Sequence, residues 1–240
     1  MFQVVINQQN LSSIIAAFSN MKDDIKIQIA EDGLKIEAVD AANVCMAFLK
    51  APASAFEIYK ATNGEIALDL MKLSSLTSGK DNVSLALDEE SHKLNIQVGR
   101  AKYSMSLLDP SAIKKPPRIP QLDLPAAITM SGSDLREAIT YAGKVSDHVV
   151  IEQHEKEFKV SAKGDIDSFE MPFLLSELTG IRQGESRALF SLDYLQDISK
   201  VAAKCLDVHI ETGIDYPMRI AFKLGEIDIQ YLLAPRIEET

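Results

Sequence analysis

One internal repeat limits what this chain can fold into. Sliding the 240-residue sequence by 124 positions lays Leu11 on Leu135, Ile15 on Ile139, Asp23 on Asp147, Ile25 on Val149 and Ile27 on Ile151. The register continues without a gap, with Glu31 on Glu155, Leu34 on Phe158, Lys35 on Lys159, Ile36 on Val160 and Ala38 on Ala162. A shift of 122 brings Leu70, Leu73 and Leu76 onto Leu192, Leu195 and Ile198, and a shift of 125 brings "LLDP" at 107–110 onto "LLAP" at 232–235. Few residues are identical, but apolar falls on apolar at three nearly equal offsets in chain order. That pattern marks a duplicated unit.

Each half reads in the same order. A short strand ("FQVVI") precedes a helix over 10–21, whose Leu11, Ile14, Ile15 and Phe18 recur at helical spacing and whose cap is Asn10 or Ser12. Alternating strands follow, broken by turn residues at Glu31-Asp32-Gly33, then a second helix at 70–78, then a hairpin with Asp88-Glu89-Glu90 at its tip. The second half repeats this plan, with helices near 133–144 and 191–204. Many antiparallel strands with two short helices per half predict an α+β fold of two similar domains, helices on one sheet face. The first domain covers 1–108 and the second 127–240. Between them, 109–126 holds Pro116, Pro117, Pro120 and Pro125, which keep a connector extended.

Composition narrows the function. The sequence has no apolar run of about 18 residues, so no membrane span or membrane partner is expected, and "MFQVVINQQN" lacks the build of a secretory signal. Cys45 and Cys205 form no zinc pattern and suit a reducing cytosol. Against 25 Lys and Arg stand 35 Asp and Glu, a net charge of -10, which argues against a general nucleic-acid binder unless charge is segregated. The four histidines are scattered without metal spacing, and Walker, GxGxxG and nucleophile-elbow motifs are absent. Asp165-Ile166-Asp167 could pair on a metal in a small hydrolase, but two carboxylates in a loop are more often solvated. The reading is therefore a non-enzyme with no catalytic residues, no metal and no cofactor.

The tail "YLLAPRIEE", the segment "DGLKIEAVDAANVCMAFL" with Gly33, Val39, Asp40 and Val44, and "SMSLLD" ahead of a proline-bearing linker resemble the proliferating cell nuclear antigen family, the sliding clamps of archaea and eukaryotes. The similarity runs from Met1 to Glu239. The resemblance implies a three-subunit homotrimeric ring, with sheets outside and helices lining a hole that encircles duplex DNA without reading its sequence. It also implies partners with short docking peptides: DNA polymerase, clamp loader, nuclease and ligase. The alternative is a protein-docking scaffold that does not encircle DNA.

Three sets of residues follow from the resemblance. Facing DNA would be Lys22, Lys72, Lys80, Arg136, Lys144, Lys200 and Lys204, although the first helix has serines where basic residues are common in the family; without the resemblance these cations read as solvated helix faces. A partner-binding groove would draw on Asn43, Val44 and Met46, on Ile119 and Leu124 of the connector, on Pro217, and on Leu232, Leu233, Ala234 and Pro235. It would take a helical turn with one aliphatic and two aromatic anchors, while the connector edge pairs with the peptide's extended flank. The other reading makes Leu232 and Leu233 strand core, or one core and its neighbour groove. The subunit joint would pair edge strands near 100–106, with Lys102, Tyr103 and Met105, and near 166–175, with Ile166, Phe169 and Met171; Pro172 would limit that pairing. Otherwise these are ordinary solvated edges.

Overall fold

The computed structural model describes residues 1–19, 21–79, 81–114, 116–117 and 122–237. The chain divides into two compact units, Met1–Pro117 with Leu224–Ile229, and Arg118–Lys223 with Gln230–Thr240.

In the first unit, β1 (Phe2–Ile6) pairs antiparallel with both β5 (Ile58–Ala61) and β7 (Val83–Asp88). β8 (Lys93–Val98) and β9 (Ala101–Ser106) continue that sheet, leaving β9 at its end. Alongside run β4 (Cys45–Pro52), β3 (Gly33–Val39), β2 (Asp24–Ala30) and β6 (Gly64–Asp69), also antiparallel. Alternation sets the faces: in β2 Ile25, Ile27 and Ile29 are buried while their neighbours are not.

Helix α1 (Gln8–Phe18) buries Leu11, Ile14, Ile15 and Phe18, the apolar stripe its spacing predicts, each worth roughly 1.5–3 kcal/mol of transfer free energy. It starts earlier than the sequence suggests. Asn7 is the cap, not Asn10 or Ser12, because Asn7 is extended and its side-chain oxygen accepts the Asn10 amide at 2.8 Å. Helix α2 (Leu70–Leu76) is capped in the same way by Asp69, which accepts the Lys72 amide at 2.8 Å.

The second unit repeats the plan. β10 (Ala126–Met130) lies between β14 (Thr179–Arg182) and β16 (Val208–Thr212), and β17 (Met218–Leu224) follows β16. A second sheet runs β13 (Ser168–Leu174), β12 (Glu157–Lys163), β11 (His148–Gln153) and β15 (Ser186–Ser191). The final strand β18 (Ile227–Leu233) gives its first three residues to the first unit and the rest to the second. Helices α3 (Gly132–Ala142) and α4 (Leu192–Ala202) pack together. Their contact needs a glycine: a β-carbon on Gly132 would sit 1.8 Å from the Ala202 carbonyl oxygen, and the Gly132 amide donates to Cys205 O at 2.8 Å. The start of one helix thus answers the carbonyl-rich end of the other.

Candidate functional site

The cations expected to face DNA differ in how committed they are. α1 itself has no Lys or Arg, and its outward positions include Ser12 and Ala16. Lys22, Lys144 and Lys204 all fall just past helix C-termini, where the helix dipole favours positive charge. Lys72 is exposed on α2 and Lys200 on α4; Lys80 lies outside the described residues. Arg136 is held: its Nη1 donates to Gln196 O at 2.9 Å and to Ser199 Oγ at 3.2 Å, which ties α3 to α4. Lys144 Nζ stands 4.6 Å from the Tyr141 ring centre, and Lys200 Nζ contacts Asp197 at 3.0 Å. Exposed contacts of these two kinds are worth about 1 kcal/mol or less, so both ammonium groups remain available to a passing phosphate.

Asp40 organises the first candidate docking segment. Its carboxylate accepts the amides of Ala42 at 3.1 Å, Val44 at 2.8 Å and Cys45 at 2.7 Å, and the loop passes through Asn43 at φ 57°. This leaves Asn43 exposed, Val44 half-buried and Met46 buried. Burial, with the Asp40 charge close by, pushes the Cys45 thiol up to about 12.

In the second unit the candidate residues sit on three segments. Leu124 is buried and its carbonyl accepts Arg182 Nη2 at 2.7 Å; Ile119 lies outside the described residues. Pro217 is half-buried and ends a loop in which Asp215 has φ 53° and Ile214 and Tyr216 are exposed. Leu232 and Leu233 are 6 % and 0 % exposed, so both are core residues; the pattern of one buried leucine beside one facing out does not occur, because both faces of the strand end are covered. Ala234 and Pro235 are half-exposed and follow directly. Consecutive outward carbonyls of β15 anchor two of these segments. Arg187 O takes the Asp215 amide at 3.0 Å and Leu189 O takes the Arg236 amide at 2.7 Å.

The two expected edge strands are sheet ends. The Leu107 amide donates to His92 O at 3.1 Å, so odd-numbered residues of β9 bond to β8 and Lys102, Ser104 and Ser106 turn their backbone groups outward. Tyr103 is exposed, whereas Met105 is fully buried and can offer a neighbour no side chain. In β13 the Leu175 amide donates to Lys156 O and the Gly164 amide to Asp167 O, both at 2.9 Å, so the outward groups belong to Ser168, Glu170, Pro172 and Leu174. Pro172 supplies no donor. Ile166 is almost wholly exposed, Met171 is half-buried, and the Phe169 ring lies 6.2 Å from that of Tyr141.

Sequence reasoning missed a charge row in the second unit. Arg182 Nη2 meets Glu211 Oε1 at 2.7 Å and Arg219 Nη1 meets Oε2 at 2.6 Å. Burial pushes the Glu211 carboxyl up, but the Arg182 and Arg219 bonds outweigh it and hold the group below its usual value. The only available signal was Glu211 and Arg219 in alternating segments, which gives no hint of Arg182. Among the described residues no group of three or more His, Cys, Asp or Glu is placed to hold a metal, Asp165 and Asp167 are exposed, and no helix is long and apolar enough to cross a membrane.

Two family models match the chain: the proliferating cell nuclear antigen N-terminal domain over 1–107 and its C-terminal domain over 118–237. A DNA polymerase sliding clamp of Methanothrix thermoacetophila is 50% identical, with 100% of each chain covered, and one of Methanosarcina barkeri is 42% identical over 99% of each. Among solved structures, the C-terminal region of FEN-1 bound to A. fulgidus PCNA gives a TM-score of 0.94 at 36% identity, covering 100% of both chains. PCNA from Thermococcus kodakaraensis gives a TM-score of 0.89 at 20% identity, covering 98% of this chain and 100% of that one, a likeness of fold. With both halves matched and the relatives aligned end to end, this chain belongs to the proliferating cell nuclear antigen family.

Proposed function

We propose that this chain is a DNA polymerase sliding clamp. Three copies close into a ring around duplex DNA and tether polymerase and other replication and repair factors. The observation that supports this best is the end-to-end match, at 50% identity, to a protein named as such a clamp. The exposed edges of β9 and β13 give each copy two different strands to offer, and a head-to-tail contact of that kind closes into a ring when the rotation between copies permits. The clamp catalyses nothing. It holds DNA by enclosure and needs only a few mobile cations, which reconciles its function with a net charge of -10.

Partners dock through short peptides, as the C-terminal region of FEN-1 does on A. fulgidus PCNA. In the second unit the surface that receives them draws on Pro217, Ala234 and Pro235 with the buried Leu124, Leu232 and Leu233; in the first unit Asn43, Val44 and Met46 form a candidate docking segment of their own. The proposal places the protein in the cytoplasm, since every relative named above is archaeal.

The test is light scattering on the purified chain, then loading onto DNA. A mass near three times 26.4 kDa, and retention on circular but not linear DNA, are expected. A monomer at high concentration would overturn the ring. A trimer that binds peptides but never retains circular DNA would favour a docking scaffold instead.

A further inference from the structure

A four-residue strand exposed throughout adds little burial to a fold, yet β14 is one. What it contributes is Arg182. Across four strands Arg182 stands opposite Ala127, Ala127 opposite Glu211, and Glu211 opposite Arg219. The small Ala127 side chain leaves a lane through which the guanidinium reaches Glu211. The same Nη2 donates to the Leu124 carbonyl at 2.7 Å. Behind it, buried Gln153 donates through Nε2 to the Arg182 carbonyl at 2.9 Å, fixing the base of the arm. The turn that follows closes tightly on the same target: a β-carbon on Gly184 would lie 2.5 Å from Pro125 O.

Stability alone does not account for this arrangement. The Arg182 side chain is 50% exposed, and Arg219 already neutralises Glu211. Glu211 is only 13% exposed, so Arg182 also helps to offset its burial, but that role does not call for a bond to Leu124 O. The bond to Leu124 O does something different, since it fixes a main-chain group at the end of a proline-bearing linker.

We infer that Arg182 is a positioning residue for partner docking. By gripping Leu124 O it holds Leu122–Leu124 in place as the edge against which the extended flank of a docked peptide pairs. The inference rests on the docking function proposed above. Ordering this edge before the partner arrives lowers the entropy lost on binding.

The test uses the intact trimer and two fluorescent probes: the FEN-1 C-terminal region that binds A. fulgidus PCNA, and the same peptide cut back to its helical anchor turn. Arg182→Met keeps the aliphatic stem and loses the donors. It should weaken the full peptide by about fivefold to tenfold, the effect of having to order a few connector residues at the moment of binding, and leave the short peptide within about twofold of wild type. Arg182→Lys, whose ammonium can still reach the carbonyl, should recover most of the loss. Amide exchange at Asp123 and Leu124 should quicken in Arg182→Met alone. Equal affinity of Arg182→Met and wild type for the full peptide overturns the inference, and so does an equal loss for both peptides, which would mean general distortion. If wild type binds neither peptide, the docking function itself fails.

Discussion

The Asp40 carboxylate accepts the Cys45 amide at 2.7 Å, and with the same oxygen the Val44 amide at 2.8 Å. A single buried acid therefore replaces the backbone partners that a loop passing through Asn43 cannot find for itself. Asp40→Ala orphans these amides together with that of Ala42 and should cost about 2–4 kcal/mol. Asp40→Asn keeps one accepting oxygen and should cost about half as much. Urea unfolding of both variants checks this; a loss under about 0.5 kcal/mol for the alanine variant contradicts it.

Leu232 and Leu233 behave as core in the second unit. Each leucine-to-alanine change should lower stability by about 2–5 kcal/mol, so neither is a clean probe of docking. Ala234→Asp is cleaner, because Ala234 is half-exposed. It should weaken a partner peptide at least tenfold, about 1.4 kcal/mol, with melting temperature nearly unchanged. Fluorescence titration against calorimetry separates the two effects.

The proposed subunit joint depends on backbone groups that point out of β9. Ser104→Pro removes one such donor, whereas Tyr103→Pro removes a donor that faces β8. The first should lower the mass from three times 26.4 kDa toward one while leaving the melting of the subunit fold intact. The second should unfold the sheet edge as well. Light scattering with circular dichroism tells them apart.

Among the described residues Lys144 and Lys200 meet only an aromatic face and a half-buried carboxylate, so charge reversal spares the fold. The double change to Glu should abolish clamp-stimulated DNA synthesis at moderate salt and leave peptide binding untouched. Each lost phosphate contact lowers the salt slope of DNA affinity by about 0.9. Unchanged synthesis would remove these lysines from the DNA-facing set.

Acid should loosen the second unit at two places. Burial raises the Glu152 carboxyl, but Lys159 and then His154 outweigh it, so Glu152, like Glu211, ends below its usual value. Their stabilisation is complete above the ordinary carboxylate value of 4.5 and is lost as pH falls through their lowered values. His154 has the opposite sign: Glu185 and Glu152 raise it, so its contribution is complete below 6.5 and lost as pH rises through its raised value. Melting temperature against pH should therefore fall on the acid side, and Glu152→Gln should flatten that limb.

The duplication and the four helices were legible in the sequence because amphipathic period and turn chemistry are local properties, whereas the two edge strands were expected only through the family resemblance. Helix starts were legible to within about three residues, since Asn7 and Asn10 are both competent caps and only geometry chooses between them. The status of Leu232 and Leu233 was not legible, because two adjacent leucines are buried only when both strand faces are covered. Arg182 was invisible for a similar reason. Its partners are 58 and 29 residues away, and nothing local in "TGIRQGE" marks them.

Pro172 has a consequence for solubility. An outermost strand with a donor at every second residue is a seed on which stray chains can stack. Between Glu170 and Leu174 that series is broken, so an intruding strand can zip along only a short stretch before its next carbonyl finds nothing to accept. The same gap costs a correct neighbour one bond in a short ladder but stops a wrong one from growing into a fibre.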